Sequence, residues 1–199
     1  MIVRCNEDGI RAVLKTIKNG GIVVIPTDTV YGIGCDPYNQ EAVKMIYKIK
    51  GREKTKHLPV LGYSKEEIAK IAFFDELSKK IANKFWPGPV TLVLKVKEKE
   101  IANSLNLESK IAVRVPNHPC ALSLLKECKL LVGTSANPSG LPPFKDSKDI
   151  PDKFSDYGVL LDAGKISNPG ESTIVEVIGS ELRIIRKGKV KKRELVAVV

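Results

Sequence analysis

The sequence predicts one α/β domain built on a mixed sheet. Three observations lead there. Stretches with apolar residues at helical spacing alternate with short β-branched runs, a two-residue hairpin signal near the C-terminus adds antiparallel pairing, and neither an internal repeat nor a Ser- or Gly-rich linker divides the chain. At 199 residues, with 43% hydrophobic and 28% charged content, the composition is that of a water-soluble globular protein, not of a disordered or collagen-like one. A chain of this size buries roughly 70% of the surface it exposes when unfolded, enough for a core with a pocket in it.

The elements follow in order. Asp8 to Lys18 reads as a helix with Ile10, Val13, Leu14 and Ile17 on one face, stopped by Gly20-Gly21 before the buried strand Ile22 to Ile25. A polar, Gly-containing loop is expected from Pro26 to Pro37. A helix from about Asn39 to Ile49 puts Val43, Ile46 and Tyr47 on one side, and Leu58 to Leu61 is the next strand. Ser64 with Glu67 makes a capping-box pattern that opens another helix, and Leu77, Ile81 and Phe85 mark a further one ending at Trp86-Pro87-Gly88-Pro89. Val90 to Val96 and Ile111 to Val115 read as strands by β-branched content, separated by the charged stretch Lys97 to Lys110. Pro119 starts a short helix. After a strand at Leu131, a long Pro- and Gly-containing loop from Thr134 to Ile150 leads to a strand near Val159 to Leu161, and its length makes Leu141 to Lys148 a candidate lid. Thr173 to Ile178 and Glu181 to Arg186 flank Gly179-Ser180 as a hairpin.

Several function classes drop out. The longest apolar runs are a few residues, far short of the ~20 that a bilayer requires. Met1 to Ile10 lacks the apolar run of a secretory signal, so the expected compartment is the cytoplasm. Cys5, Cys35, Cys120 and Cys128 show no C-x-x-C spacing and are expected as small core thiols. With His57 and His118 as the only imidazoles, a zinc site held by side chains is not expected. The 33 basic and 23 acidic residues leave a net charge of +10, which favours polyanionic ligands. Arg183 to Arg193 alone holds seven basic residues and no acid; Lys191, Lys192 and Arg193 are its candidate RNA contacts, against the alternative of a solvated tail.

The chemistry-bearing motifs lie on loops that follow strands. The P-loop pattern is absent, and Gly32-Ile33-Gly34 lacks the third glycine of a dinucleotide fingerprint because Pro37 stands there. Gly133-Thr134-Ser135-Ala136-Asn137 misses the last glycine of a nucleophile elbow. Pro26-Thr27-Asp28-Thr29-Val30-Tyr31-Gly32 puts hydroxyls and a carboxylate at a strand's end, where α/β proteins bind ligands. Lys50-Gly51-Arg52, with Lys56 beyond, offers cations to phosphates, although a helix C-terminus wants the same residues for its dipole. Ser135 to Gly140 and Ser172-Thr173 add hydroxyl and amide groups that any loop can use.

Taken together and in order, these segments resemble the YrdC family of threonylcarbamoyl-adenylate synthases over about residues 10 to 188. The resemblance rests on PTDTVYGIGCDP (Pro26 to Pro37), KIKGR (Lys48 to Arg52) leading into KHLPVL, FWPGPVTLVL (Phe85 to Leu94), AVRVPNHP (Ala112 to Pro119), GTSANPSG (Gly133 to Gly140) and STIVEV (Ser172 to Val177). It implies an open, twisted α/β sheet with a concave basic cleft. It also implies an enzyme that joins L-threonine, bicarbonate and ATP, with Mg2+, into threonylcarbamoyl-AMP and pyrophosphate. That product supplies threonylcarbamoyladenosine formation on tRNA through a transferase complex. The family's signature falls on Lys50, Arg52, Ser135 and Asn137, with Lys56 and Arg186, for ATP and the adenylate, Lys50 and Arg52 being the catalytic cations. Thr29, Arg114 and Ser172 would hold threonine, Arg114 by a bidentate grip on the carboxylate. One departure is Leu61, where some members of the family carry a histidine near threonine; His57 does not replace it. The chain, 1–199, matches the short, single-domain form. The competing expectation is a tRNA- or double-stranded-RNA-binding module, or a paralogue with another nucleotide-linked substrate.

Overall fold

The computed structural model describes residues 1–151, 158–179 and 181–198. Local signals set most elements. Helix α1 (Glu7–Lys18) is capped by the Asn6 side chain, which accepts from the Gly9 amide, and it carries acids in its first turn and lysines in its last. Helix α2 (Gln40–Lys50) starts on the Asn39 cap and ends at Gly51, whose φ of 56° turns the chain out of the helix. Ser64 caps α3 (Lys65–Ile71) and Asp75 caps α4 (Glu76–Phe85). Pro119 opens α6 (Pro119–Cys128) at the position where its missing amide costs nothing.

Eleven strands form one mixed sheet in the order β1-β9-β2-β3-β8-β4-β7-β6-β10-β11, with the short β5 added beside β6. Their ranges are β1 Ile2–Arg4, β2 Ile22–Ile25, β3 Gly32–Cys35, β4 Val60–Gly62, β5 Ala72–Phe73, β6 Val90–Val96, β7 Lys110–Arg114, β8 Leu130–Ser135, β9 Gly158–Asp162, β10 Thr173–Ile178 and β11 Glu181–Arg186. The C-terminal hairpin is antiparallel from the Ile178–Glu181 pair inward, with a register shift at Ile174/Val175; Ser180 of the expected turn lies outside the described residues.

Four expectations are corrected. The loop expected over Pro26 to Pro37 contains β3, antiparallel to both β2 and β8. Its glycines hid it, and packing requires one of them: a Cβ on Gly34 would stand 2.2 Å from the Val132 carbonyl oxygen. The charged stretch before β7 folds into α5 (Lys99–Ser104), which buries Ile101 and Ser104. The basic tail contains α7 (Lys192–Val196), which buries Leu195. Finally, Cys5 and Cys120 form a disulfide, while Cys35 and Cys128 are free thiols. That pair is 115 residues apart in sequence, joined where α1 packs on α6, so a rule based on local spacing could not find it.

The two faces of the sheet are covered unequally. One face packs along its length against α2, α3, α4, α5 and α7 through Ile46, Ile68, Ile81, Ile101 and Leu195. On the other, α1 and α6 cover β9, β2, β8 and β4 through Val13, Ile17, Leu124, Leu125, Leu61, Leu131 and Leu161. Beyond β4 that second core ends. There the same face of β7, β6 and β10 carries Arg114, Ala112 and Lys110, then Thr91, Val93 and Lys95, then Ser172, Ile174 and Glu176.

Candidate active site

A cleft of about 610 Å³ opens where the helix-covered part of the sheet gives way to the uncovered strands. All nine residues expected from the sequence to bind small ligands line it: Thr29, Lys50, Arg52, Lys56, Arg114, Ser135, Asn137, Ser172 and Arg186. Lys191, Lys192 and Arg193 do not; they are exposed at the start of α7. The basic residues of that stretch have different surroundings. Arg183 pairs with Glu176 across the β10–β11 hairpin, 3.9 Å from its carboxylate, Arg186 enters the cleft, and Lys189 donates to the backbone oxygens of Asp28 and Asn168.

At one end of the cleft Lys50, the last residue of α2, is 2% exposed. Its ammonium donates to the carbonyl oxygens of Ser135 and Asn137, while the Ser139 amide donates back to the Lys50 carbonyl at 2.8 Å. Arg52, beyond the Gly51 turn, donates through Nε to the Lys56 carbonyl at 2.7 Å and through Nη2 to the His57 carbonyl at 3.2 Å. Among the described residues neither Lys50 nor Arg52 has a carboxylate partner. Burial, with Arg52 nearby, pushes the Lys50 ammonium down to about 8, and burial, with Arg186 nearby, lowers Arg52. A buried and a half-buried cation beside carbonyl dipoles offer their charge to an anionic group.

At the other end Arg114 is 5% exposed and held on three sides. Nε donates to the Gly88 carbonyl at 2.9 Å, Nη1 to Thr29 Oγ1 at 3.0 Å and Nη2 to Asp28 Oδ1 at 2.6 Å. A guanidinium has five N–H groups, so one on each terminal nitrogen is left over, the arrangement a carboxylate accepts as a fork. Thr27 fixes this corner: its hydroxyl donates to the Val30 carbonyl and sits 2.9 Å from that of Thr29. Burial lowers Arg114, opposed by Asp28.

Arg186 joins the two ends. It grips the Ser172 carbonyl through Nε and Nη2, the Ser172 hydroxyl at 2.9 Å, and Glu171 at 2.6 Å. Its charge depresses both Arg52 and Arg114 behind the larger effect of their burial. Ser172 shares a further hydrogen bond with Thr91 at 2.9 Å. The sequence reading missed Asp28, Thr91 and Glu171. Asp28 stands inside the PTDT motif and Thr91 on the alternating face of β6, but only the sheet register brings either to Arg114.

The long loop divides in two. Ser139 to Pro143 borders the cleft, and Asn137 Nδ2 holds the Leu141 carbonyl at 2.5 Å. Phe144 to Ser147 is pinned behind it, by the Tyr31 amide on the Phe144 carbonyl at 3.0 Å, a bridge from Asp146 to Lys165, and burial of Ser147. Leu61 lines the cleft floor packed over Gly133, and His57 lies exposed on the same rim as Lys56. Glu171 is the one carboxylate in the lining, and among the described residues no group of three or more His, Cys, Asp or Glu is placed to hold a metal. Among those residues, too, no helix is long and apolar enough to cross a membrane.

Comparison with known proteins agrees with this geometry. The chain is 32% identical over 165 residues to the threonylcarbamoyl-AMP synthase of Aliivibrio fischeri, covering 81% of this chain and 89% of that protein. It is 32% identical over 205 residues to the threonylcarbamoyl-AMP synthase of Bacillus subtilis, covering 98% of this chain but 57% of that longer one. The crystal structure of P. abyssi Sua5 complexed with L-threonine superposes with a TM-score of 0.91 at 29% identity over the whole of this chain, which spans 61% of the Sua5 chain. E. coli YciO shares the fold, with a TM-score of 0.86 at 22% identity and 98% coverage of both chains. The Sua5/YciO/YrdC family, described as "Telomere recombination", matches residues 15–188, and the chain belongs to that family.

Proposed function

We propose that this chain is an L-threonylcarbamoyladenylate synthase. It would convert L-threonine, bicarbonate and Mg·ATP into threonylcarbamoyl-AMP and pyrophosphate, for tRNA modification by a downstream transferase complex. The observation that carries the reading is the contrast between the two ends of the cleft. Lys50 is buried and Arg52 half-buried, and among the described residues neither has a carboxylate partner, which suits a polyphosphate. Arg114 is already neutralised by Asp28 and keeps a free fork, which suits the single negative charge of an amino-acid carboxylate. The names of the Aliivibrio and Bacillus relatives and the threonine in the Sua5 crystal point the same way.

The chemistry asks for positioning more than for a protein nucleophile. Threonine's neutral amine takes up the bicarbonate carbon as a carbamate, with loss of water. A carbamate oxygen then attacks the α-phosphorus, and the bond to the β-phosphate breaks to release pyrophosphate. In this arrangement Arg114, Thr29 and Ser172 orient the amino acid. Lys50, Arg52 and Lys56 hold the phosphates, Ser135 and Asn137 border the nucleotide, and Arg186 lies between the two reacting groups where negative charge develops. Mg2+ enters as part of the nucleotide substrate; a lining with one carboxylate fits a metal carried on phosphates. Hydrolysis competes for the carbamate, so the rim from Ser139 to Pro143 would serve by shielding it.

The test is pyrophosphate release from the purified chain with Mg·ATP, bicarbonate and threonine, each co-substrate omitted in turn and serine substituted for threonine. Release that requires both threonine and bicarbonate is expected. Release without threonine, or none at all, overturns the reading.

A further inference from the structure

Asp28 neutralises Arg114 but takes no part in the chemical steps above, yet it occupies a singular place. Its side chain is 13% exposed and does not line the cleft. Oδ1 accepts from Arg114 Nη2 at 2.6 Å and from the Asn117 amide at 2.9 Å, and the Asp28 carbonyl accepts from Lys189 Nζ at 3.2 Å. Two stretches far from it in sequence therefore meet on this residue: the end of β7 with the turn into α6, and the chain after β11. His118, next in that turn, is lowered by burial, opposed by the Asp28 charge, and its Nδ1 is buried without a partner. Lys50 and Arg52, in contrast, have no such anchor.

We infer that Asp28 is the positioning residue for amino-acid binding: its carboxylate holds the Arg114 fork at the angle that leaves one N–H on each terminal nitrogen facing the cleft. The inference rests on the proposed function for the identity of the ligand, and on geometry alone for the placement of Arg114. Without the carboxylate, two neutral acceptors, Thr29 Oγ1 and the Gly88 carbonyl, are all that would hold Arg114, through Nη1 and Nε, and Nη2 would have no partner. A buried guanidinium that has lost its counter-ion is drawn toward water, and its fork turns with it. A misplacement of about 1 Å in such a group costs on the order of 10²-fold in productive binding.

The experiment compares Asp28→Ala and Asp28→Asn with the unmodified protein by steady-state kinetics and by crystal structures. Asp28→Asn keeps Oδ1 as an acceptor for both Arg114 and Asn117, so it serves as the conservative variant. Asp28→Ala is expected to raise KM for threonine on the order of 10²-fold, with KM for ATP within about twofold. Asp28→Asn is expected to recover at least about tenfold of that loss. In the Asp28→Ala crystal the Arg114 guanidinium should have left Thr29 or Gly88. An unmoved Arg114 overturns the inference, as does an equal rise in both KM values or the absence of recovery with Asn. If the unmodified protein releases no pyrophosphate, the proposed function fails; the crystal comparison then still decides whether Asp28 positions Arg114. Should Asp28→Ala not fold, the same two readouts are taken on Asp28→Asn and Asp28→Glu. Glu moves the carboxylate and is then expected to misplace Arg114 and raise KM for threonine, whereas Asn is not; equal behaviour of the two overturns the inference.

Discussion

Replacing Lys50 by Met separates the cost of a buried cation from its use. Burial brings this ammonium from the ordinary lysine value of 10.5 to about 8, and at about 1.4 kcal/mol per pH unit the protonated form costs the folded chain about 3 kcal/mol. The folded value lies below the unfolded one, so between pH 8 and 10.5 the unfolded chain binds the extra proton. Stability tied to Lys50 is therefore fully present above pH 10.5 and is lost as pH falls through about 8. Met fills nearly the same volume and carries no proton, although it leaves the Ser135 and Asn137 carbonyls without their donor. Urea unfolding of both proteins at half-unit steps from pH 7 to 10.5 should show the unmodified chain gaining about 3 kcal/mol relative to Lys50→Met. Tyrosine and cysteine ionisations, common to both, cancel in that difference. A bound non-hydrolysable ATP analogue would pair its phosphates with the Lys50 ammonium and should flatten the gain. The kinetic counterpart is a fall in kcat/KM for ATP as the free enzyme is titrated above about pH 8. A difference that stays constant across the range would refute the electrostatic account of Lys50.

Other substitutions test other parts of the molecule. Arg52→Ala removes the second unpaired cation, and pyrophosphate release should fall by about 10²-fold or more with the urea midpoint little changed; turnover within a few-fold of the unmodified chain would displace Arg52 from the phosphate end. Breaking the Cys5–Cys120 link, which closes a loop of 115 residues, by Cys5→Ser should cost up to about 4 kcal/mol in urea unfolding; addition of reductant should then no longer shift the midpoint of the variant, and a shift of equal size in both proteins would contradict the pairing. Neutralising Lys191, Lys192 and Arg193 together should leave pyrophosphate release untouched. If these residues contact tRNA phosphates, it should also lower the salt slope of tRNA binding by about 0.9 per contact, and unchanged affinity would mark them as solvated.

Much of the fold was legible because apolar periodicity and caps are local. Asn39, Ser64 and Pro119 announced their helices, and β6, β10 and β11 carried enough β-branched residues to be bounded within a residue. What escaped depends on partners distant in the chain. β3 is a strand because β8 lies against its glycines, β5 is two residues that only the end of β6 makes a strand, and α5 has one apolar anchor in the core, Ile101. The candidate site residues stand in motifs that can be read locally, and all nine line one cleft. Their electrostatic division cannot be read so: Asp28 meets Arg114 across 86 residues, and Glu171 meets Arg186 across 15, through sheet register and hairpin closure.

The uncovered strands write two messages on alternate letters. In β6, Thr91, Val93 and Lys95 face the open side while Leu92 and Leu94 are sealed in the core; β7 alternates Arg114 and Ala112 with Val113 and Ile111, and β10 alternates Ile174 and Glu176 with Val175. Because a strand's side chains repeat every second residue, inserting or deleting one residue within any of these strands would turn the ligand-facing row inward and the apolar row out to water. Length is thus frozen in these three strands more strictly than residue identity. Relatives should vary in the part of the open row away from the cleft, at Val93, Lys95 and Lys110, whereas insertions should collect in the turns between the strands.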